Sequence, residues 1–185
     1  MTKAQITGKD PQAPRLRKMK GVRDIVHDVQ QGGRNGVRAA ARGGVWARII
    51  EKKQLNERPG ESFNAAMIRA IRKGIKAGSL LALADYLDIP KKEIYGFTSI
   101  PYATFKRREK TGKLNSDESD RVYRYAHLVA LAEEMMHGDR DKAVRWLKTP
   151  KSVLQDETPL EHATSEIGAR EVENLIGRIR HGVYS

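Results

Sequence analysis

Apolar residues recur every three or four positions through most of the second half of this chain. The longest series is Val122, Tyr125, Val129, Ala132 and Met136. This spacing places the side chains on one side of an α-helix. No run of alternating apolar and polar residues is long enough to indicate a β-sheet. The pattern therefore predicts an all-α fold.

Glycines, prolines and capping residues divide the periodic stretches into separate helices. Ser62 can cap the first of them, Pro101 can open another, and Gly182 follows the last, where a left-handed cap residue is expected. Trp146 and Leu147 are expected in the core. The predicted helices are Ser62 to about Lys73, Leu80 to Leu87, Lys91 to Phe97, Pro101 to Lys110, Ser116 to about His137, Asp139 to Lys148 and Ser165 to Arg180.

The net charge of +12 is concentrated in the first two thirds of the chain. Residues 1–61 carry 14 basic and 6 acidic side chains, and residues 62–121 carry 12 and 7. Residues 122–185 are balanced, with 9 basic and 10 acidic side chains. Because cationic surfaces release counterions from a polyanion, the first part suits DNA, whereas the last part calls for a different partner or none.

The N-terminal sixty residues differ in composition from the rest. Residues 1–20 are rich in Lys, Arg, Pro and Gly, which predicts a flexible basic tail. Two short helices are expected around Val22 to Val29 and Val45 to Ile50, docking only against a partner or each other. The glycine-rich segment between them indicates a hinge.

Several classes of function lack a signal in the sequence. The chain has no cysteine, and its five histidines show no metal-ligand spacing, so we expect neither a metal nor a cofactor. No serine lies in a recognisable catalytic turn, and we expect no enzymatic activity. The longest apolar stretch, Ser79 to Ala84, is too short to span a bilayer. Because no export signal is recognisable, we expect a cytoplasmic protein with no membrane partner.

A candidate helix-turn-helix lies in the segment KKEIYGFTSIPYATFKRREKTG at 91–112. Its two helices would be held at a fixed angle by apolar contacts among Ile94, Phe97, Ile100 and Phe105. The start of the second helix would then face the edges of DNA bases with Tyr102, Ala103 and Thr104. The basic residues expected to hold phosphates are Lys106, Arg107, Arg108 and Lys110.

Two positions depart from the usual form of this motif. Tyr95 stands where a small residue normally allows close packing of the helices, and Ser99 stands where the turn usually has glycine. Either residue could widen the angle between the helices. The alternative interpretation of the whole segment is a helical hairpin with a solvated Lys/Arg face.

The C-terminal sequence closely resembles a known family. RWLKTP at 145–150 and TPLEHATSEIGAREVENLIGRIRHGVYS at 158–185 are similar to the C-terminal toxin-binding domain of Xre/MbcA/ParS antitoxins. That family has Trp-Leu-x-Thr-Pro, a Pro-Leu-Glu turn, and a helix that begins with a glycine, matched by Gly168, and ends in Gly-Val-x-Ser. An Asn and a Gly usually lie in the loop after Thr-Pro, which here reads KSVLQDE. The upstream stretch GKLNSDESDRVYRYAHLVALAEE at 112–134 resembles the family's Xre-like helix-turn-helix domain and the helix that leaves it.

The resemblance implies a domain organisation and two partners. A helix-turn-helix domain at 61–121 and a toxin-binding domain at 122–185 would follow a basic N-terminal extension at 1–60, to which the resemblance does not extend. The partners would be operator DNA and a RES-domain toxin that depletes NAD, bound by a homodimer or a higher hetero-oligomer. The last helix and the tail would cover the entrance to the active site of the toxin. The residues implied in this contact are Glu173, Arg178, Arg180, Gly182, Val183, Tyr184 and Ser185.

Two alternatives remain at this point. Gly182 can be a helix cap alone, with Val183 and Tyr184 packing back on the domain. The whole chain can also be a stand-alone transcription regulator whose C-terminal domain only forms dimers.

Overall fold

The computed structural model describes residues 45–50, 55 and 60–182. Within these residues the secondary structure is helical, apart from two isolated β-bridges, so the all-α prediction is confirmed. The α-helices are α1 (Val45–Ile49), α2 (Phe63–Lys73), α3 (Gly78–Leu87), α4 (Lys91–Phe97), α5 (Tyr102–Thr111), α6 (Ser116–Met135), α7 (Arg140–Leu147), α8 (Pro159–His162) and α9 (Glu166–Arg180), and a 3-10 turn covers Ser152–Leu154. The tail, the hinge and the first helix predicted before residue 45 lie outside the described residues, as does the segment 183–185.

The predicted helix boundaries agree with the structure to within one or two residues. Ser62 caps α2 by accepting a hydrogen bond from the Ala65 amide, as predicted. Pro101 is the residue before α5 and not its first residue, and α3 begins two residues earlier than predicted. Gly182 has a φ of +67°, which is the left-handed conformation expected after the last helix.

The long helix α6 is the centre of the fold. It packs against α2, α3, α7 and α9, and also against α1. Four members of its predicted apolar stripe, Val122, Tyr125, Val129 and Ala132, are fully buried. The Tyr125 hydroxyl lies within hydrogen-bonding distance of the carbonyl oxygens of Phe97 and Leu160, at 2.9 and 3.2 Å. One residue of α6 therefore contacts both the helix-turn-helix segment and the C-terminal helices.

Two predictions about the core differ from the structure. Leu147 is buried, but Trp146 is only half-buried, and the Nζ of Lys151 lies 5.2 Å from its ring centre. The prediction that Trp146 lies in the core is therefore wrong in part, because the side chain packs at the edge of the core. The helix α1 was expected to dock on a partner or on its neighbour, but it packs on α3 and α6 and buries Trp46, Ile49 and Ile50.

Candidate functional site

The segment α4–turn–α5 forms a helix-turn-helix. Its two helices are separated by the four residues 98–101. Ile94, Ile100 and Phe105 are buried, as predicted, while Phe97 is half-buried and packs on Tyr125 of α6. The Thr98 hydroxyl donates to the Ile94 carbonyl oxygen at 2.6 Å, which satisfies a buried polar group inside the turn.

The two unusual residues of the motif have clear structural roles. Ser99 has a φ of +49°, so the turn does adopt the left-handed conformation that favours glycine. Its carbonyl oxygen accepts a hydrogen bond of 2.9 Å from Arg121 of α6, which holds the turn in place. The Tyr95 ring lies 5.7 Å from that of Tyr102 and 5.5 Å from that of Phe105. Tyr95 thus fills the space between the helices with an aromatic cluster.

The exposed side of α5 carries most of the residues predicted to contact DNA. Thr104 is half-buried, and Lys106 forms an exposed ion pair of 2.7 Å with Glu109. Exposed ion pairs contribute little free energy, so Lys106 can exchange this partner for a phosphate. The exposed members of the predicted set are Tyr102, Ala103, Lys106, Arg107 and Lys110.

Arg108 has a different environment from its basic neighbours. Its Nε lies 2.7 Å from a carboxylate oxygen of Glu118, which is buried at the start of α6. Glu118 also accepts from the Asn115 amide, while the Asn115 side chain accepts from the Glu118 amide, in a capping box. Burial alone raises the pKa of Glu118, but the hydrogen bonds from Arg108 and Asn115 outweigh it and hold the pKa below its usual value. Arg108 therefore fixes α5 against α6.

The C-terminal helices pack closely because of a small residue. Gly168 lies in the first turn of α9, and a Cβ added there would come within 1.9 Å of the His162 carbonyl oxygen. Its amide donates to the Ser165 hydroxyl, which caps the helix. Val172, Leu175 and Ile176 of α9 are buried, so its opposite side is left exposed.

The residues that the resemblance implies in toxin binding differ in their exposure and in their contacts with α6. Glu173 is half-buried, with a carboxylate oxygen 3.7 Å from Nε2 of His127 in α6. Arg180 forms an ion pair of 2.6 Å with Glu134 of α6. Arg178 and Gly182 are exposed. Val183, Tyr184 and Ser185 lie outside the described residues.

Two histidines have defined environments that the sequence pattern does not reveal. Both ring nitrogens of His162 contact carboxylates, Glu157 at 2.7 Å and Glu171 at 2.6 Å. The hydrogen bonds that the ring donates, first to Glu171 and then to Glu157, raise the pKa of His162. Burial lowers the pKa of His127, and Glu173 only partly opposes this effect. Only the three-dimensional contacts single out these two residues.

The described residues contain no group of three or more His, Cys, Asp or Glu side chains suited to a metal ion. None of the helices in the described part of the chain is both long and apolar enough to cross a membrane.

Two family models match the chain, one after the other. The Antitoxin Xre-like helix-turn-helix domain matches residues 66–127, from α2 into α6. The Antitoxin Xre/MbcA/ParS C-terminal toxin-binding domain matches residues 131–182, from the end of α6 through α9. The sequence resemblance is therefore confirmed over both segments.

Three curated relatives carry the same description, "Antitoxin Xre". The protein from Yersinia enterocolitica is 33% identical over 125 residues, which cover 67% of this chain and 84% of the relative. The protein from Photorhabdus laumondii is 33% identical over 116 residues, covering 62% and 78%. The protein from Pseudomonas putida is 40% identical over 84 residues, covering 45% and 52%. With both domain models matched in order, this chain belongs to the Xre/MbcA/ParS family of antitoxins.

Proposed function

We propose that this type II antitoxin neutralises a RES-domain toxin that degrades NAD, and that it represses its own operon by binding DNA. The observation that carries the proposal is the two-sided packing of α9, which is buried against α6 on one side and exposed on the other. The matched toxin-binding model covers the whole of this helix and ends at Gly182.

The proposed inhibition depends on shape and charge and requires no catalytic group in this chain. Arg178 is exposed on α9, and its planar guanidinium can form paired hydrogen bonds with carboxylates at the mouth of the toxin's cleft. Arg180 forms an ion pair with Glu134, and Glu173 lies beside His127. These two contacts with α6 help to fix the orientation of α9, and Arg180 and Glu173 also lie near the proposed toxin contact. The segment 182–185 would enter the nucleotide pocket.

The proposed DNA contact uses the exposed side of α5. Tyr102, Ala103 and Thr104 would face base edges, and Lys106, Arg107 and Lys110 would hold phosphates. We exclude Arg108 from this set because its guanidinium is already paired with buried Glu118. Binding two operator half-sites requires a homodimer or an assembly with the toxin.

Toxin neutralisation can be tested by co-expression with the RES-domain protein of the adjacent reading frame. Cell growth and cellular NAD should be restored by the intact chain and not by a chain that lacks residues 182–185. Arg178→Glu should weaken the rescue, whereas Lys92→Glu, at an exposed position of α4 outside the proposed toxin contact, serves as the control with the same change in charge. Rescue by the truncated chain would rule out insertion of the tail. An adjacent frame that encodes no toxin would favour a stand-alone regulator.

DNA binding can be tested by the salt dependence of affinity for the duplex upstream of the chain's own gene. The logarithm of the binding constant should fall with the logarithm of salt concentration by about 0.9 per phosphate contacted. Arg107→Ala should reduce this slope by about 0.9, while Lys142→Ala in α7 should leave it unchanged. A chain that shows no binding to this duplex would exclude the repressor role.

A further inference from the structure

A cluster of lysines forms where two loops meet beside α5. The α2–α3 loop and the α5–α6 loop are joined by an antiparallel bridge between Lys76 and Lys113. The Leu114 amide donates to the Ile75 carbonyl oxygen at 2.9 Å, and the Ala77 amide donates to that of Gly112 at 3.1 Å. These backbone hydrogen bonds fix the separation of the two loops.

Gly74 makes this close approach possible. It has a φ of +79°, and a Cβ at this position would lie 2.1 Å from the Leu114 carbonyl oxygen. The Ile75 amide is in turn held by the Ser119 hydroxyl at 3.0 Å. The loops therefore cannot move apart without breaking buried contacts, and the lysines beside them are held as neighbours by the backbone.

The cluster consists of Lys73, Lys76, Lys110 and Lys113, which are all exposed. In the part of the chain that the structure describes, no carboxylate pairs with Lys73, Lys110 or Lys113. Adjacent like charges repel one another. A polyanion laid across the cluster would relieve it.

The cluster continues the exposed side of α5. Lys110 lies in the last turn of this helix, and Lys113 follows it after Gly112, which has a left-handed φ of +77°. In one known variant of the helix-turn-helix, the C-terminal end of the recognition helix contacts the sugar–phosphate backbone. Duplex DNA is therefore the polyanion that fits this position.

We propose that the lysine cluster is a second phosphate-binding surface, which extends the DNA contact beyond the helix-turn-helix through Lys73 and Lys113. This inference rests on the proposed DNA-binding function and adds residues outside the motif to it. The contact is sequence-independent, since lysines at the backbone read no bases. It raises affinity and fixes the register of α5 on the duplex.

The test compares two double variants with the same change in net charge. Binding to a fluorescein-labelled mixed-sequence duplex of about 30 base pairs is measured by anisotropy over a range of KCl concentrations. Lys73→Ala/Lys113→Ala should reduce the salt slope by about 1.8, which corresponds to two phosphates, and lower affinity at about 0.1 M salt by roughly tenfold or more. Lys142→Ala/Arg145→Ala, at exposed positions of α7, should leave the slope unchanged.

Thermal unfolding provides the second measurement. The cluster variant should have an unchanged or higher Tm, because like charges are removed from the surface. A cluster that only stabilises the fold would instead lower the Tm and leave the slope unchanged. If the double variant unfolds, the single change Lys113→Glu at its exposed position should still reduce the slope relative to Lys142→Glu.

The outcomes separate this inference from the proposed function. A slope for Lys73→Ala/Lys113→Ala equal to that of the intact chain, with Arg107→Ala still reducing it, overturns the lysine cluster alone. If neither Lys73→Ala/Lys113→Ala nor Arg107→Ala reduces the salt slope, DNA binding through this domain is excluded. The same conclusion follows if the intact chain does not bind the duplex.

Discussion

Gly168 shows how one residue can decide the packing of the C-terminal helices. The start of α9 approaches α8 so closely that a methyl group would overlap the carbonyl oxygen of His162. Because that oxygen belongs to the backbone, it cannot move aside as a flexible side chain can. The glycine in the family motif is thus explained by contact distance and not by backbone conformation.

We predict opposite effects for the same substitution at two glycines of α9. Gly168→Ala should lower the free energy of unfolding by at least about 2 kcal/mol through steric overlap. Gly177→Ala should raise it by roughly 0.5–1 kcal/mol, because nothing lies within 4 Å of its added Cβ and alanine favours helix. Urea unfolding followed by circular dichroism measures both. A stabilised Gly168→Ala variant would contradict the close approach of α8 and α9.

The loop between α7 and α8 contains two strained residues. Gln155 and Asp156 have φ values of +58° and +61°, and an antiparallel bridge joins Lys151 to Glu157 around them. Consecutive left-handed residues favour Asn and Gly. Gln155 and Asp156 therefore adopt a backbone conformation that Asn-Gly would adopt more readily.

Asp156→Gly should raise the free energy of unfolding by about 1 kcal/mol, since an L-residue in this conformation costs roughly that amount. Ser152→Gly, in the same loop but without a positive φ, should instead lower it by up to about 1 kcal/mol. The difference in midpoint between these two variants on urea unfolding measures the effect. Equal effects of the two substitutions would show that the loop is not strained.

Among the helices, His162 joins the α7–α8 loop, α8 and α9. Each of its ring nitrogens lies beside a carboxylate, which accepts hydrogen bonds when ionised, so the protonated ring can donate to both carboxylates at once. The carboxylates of Glu171 and Glu157 raise its pKa above its usual value of about 6.5. A group with a raised pKa in the folded state stabilises the fold below its unfolded pKa, and this contribution is lost as the pH rises through the folded value.

The stability difference between the intact chain and His162→Gln should therefore be largest near about pH 6 and shrink as the pH rises through the raised pKa of His162. Half-buried His127, with its lowered pKa, acts in the opposite direction, but it is present in both proteins and cancels in the difference. Thermal unfolding at a series of pH values gives the comparison. A difference that stays constant or grows with pH would contradict the two ion pairs.

The elements themselves were largely predictable from the sequence. Helical spacing with caps such as Ser62 is a local signal, and most helices begin and end close to where these residues indicate. The burial of Ile94, Ile100 and Phe105 was predicted from the helix-turn-helix arrangement of the segment. The environment of Arg108 did not, because its partner Glu118 lies in another helix and nothing local distinguishes it from the arginine before it.

The long-range contacts of the whole molecule are harder to infer, and Tyr86 of α3 illustrates this. Its ring meets Arg48 of α1 and Arg140 of α7, at 5.7 and 5.0 Å, and its hydroxyl donates to Glu133 of α6. Arg140 also donates to the Tyr86 carbonyl oxygen at 2.6 Å. Residues of four helices thus meet at the Tyr86 side chain. One of these helices, α1, precedes the two matched domains, and the other residues come from within those domains.

The contacts of α1 were also hard to infer, because this helix was assigned from the sequence to an extension outside the domains. Trp46 is 1% exposed, stacks on Tyr123 of α6 at 5.2 Å and meets Phe63 of α2 edge-on at 5.8 Å. Leu55 is buried too, and its carbonyl oxygen accepts a hydrogen bond of 2.7 Å from Arg69. A five-residue helix has too weak a local preference to reveal such docking.

The two tryptophans of the chain allow this docking to be measured. Trp46→Ala should lower the free energy of unfolding by about 3–5 kcal/mol, because it leaves a cavity among α1, α2 and α6. Trp146→Ala removes an equal volume from a half-buried position and should cost clearly less, since part of that ring already faces water. Urea unfolding followed by circular dichroism at neutral pH compares the two without relying on tryptophan fluorescence. If Trp46→Ala costs no more than Trp146→Ala, then α1 contributes nothing to the core, and the helix-turn-helix domain folds without the segment that precedes it.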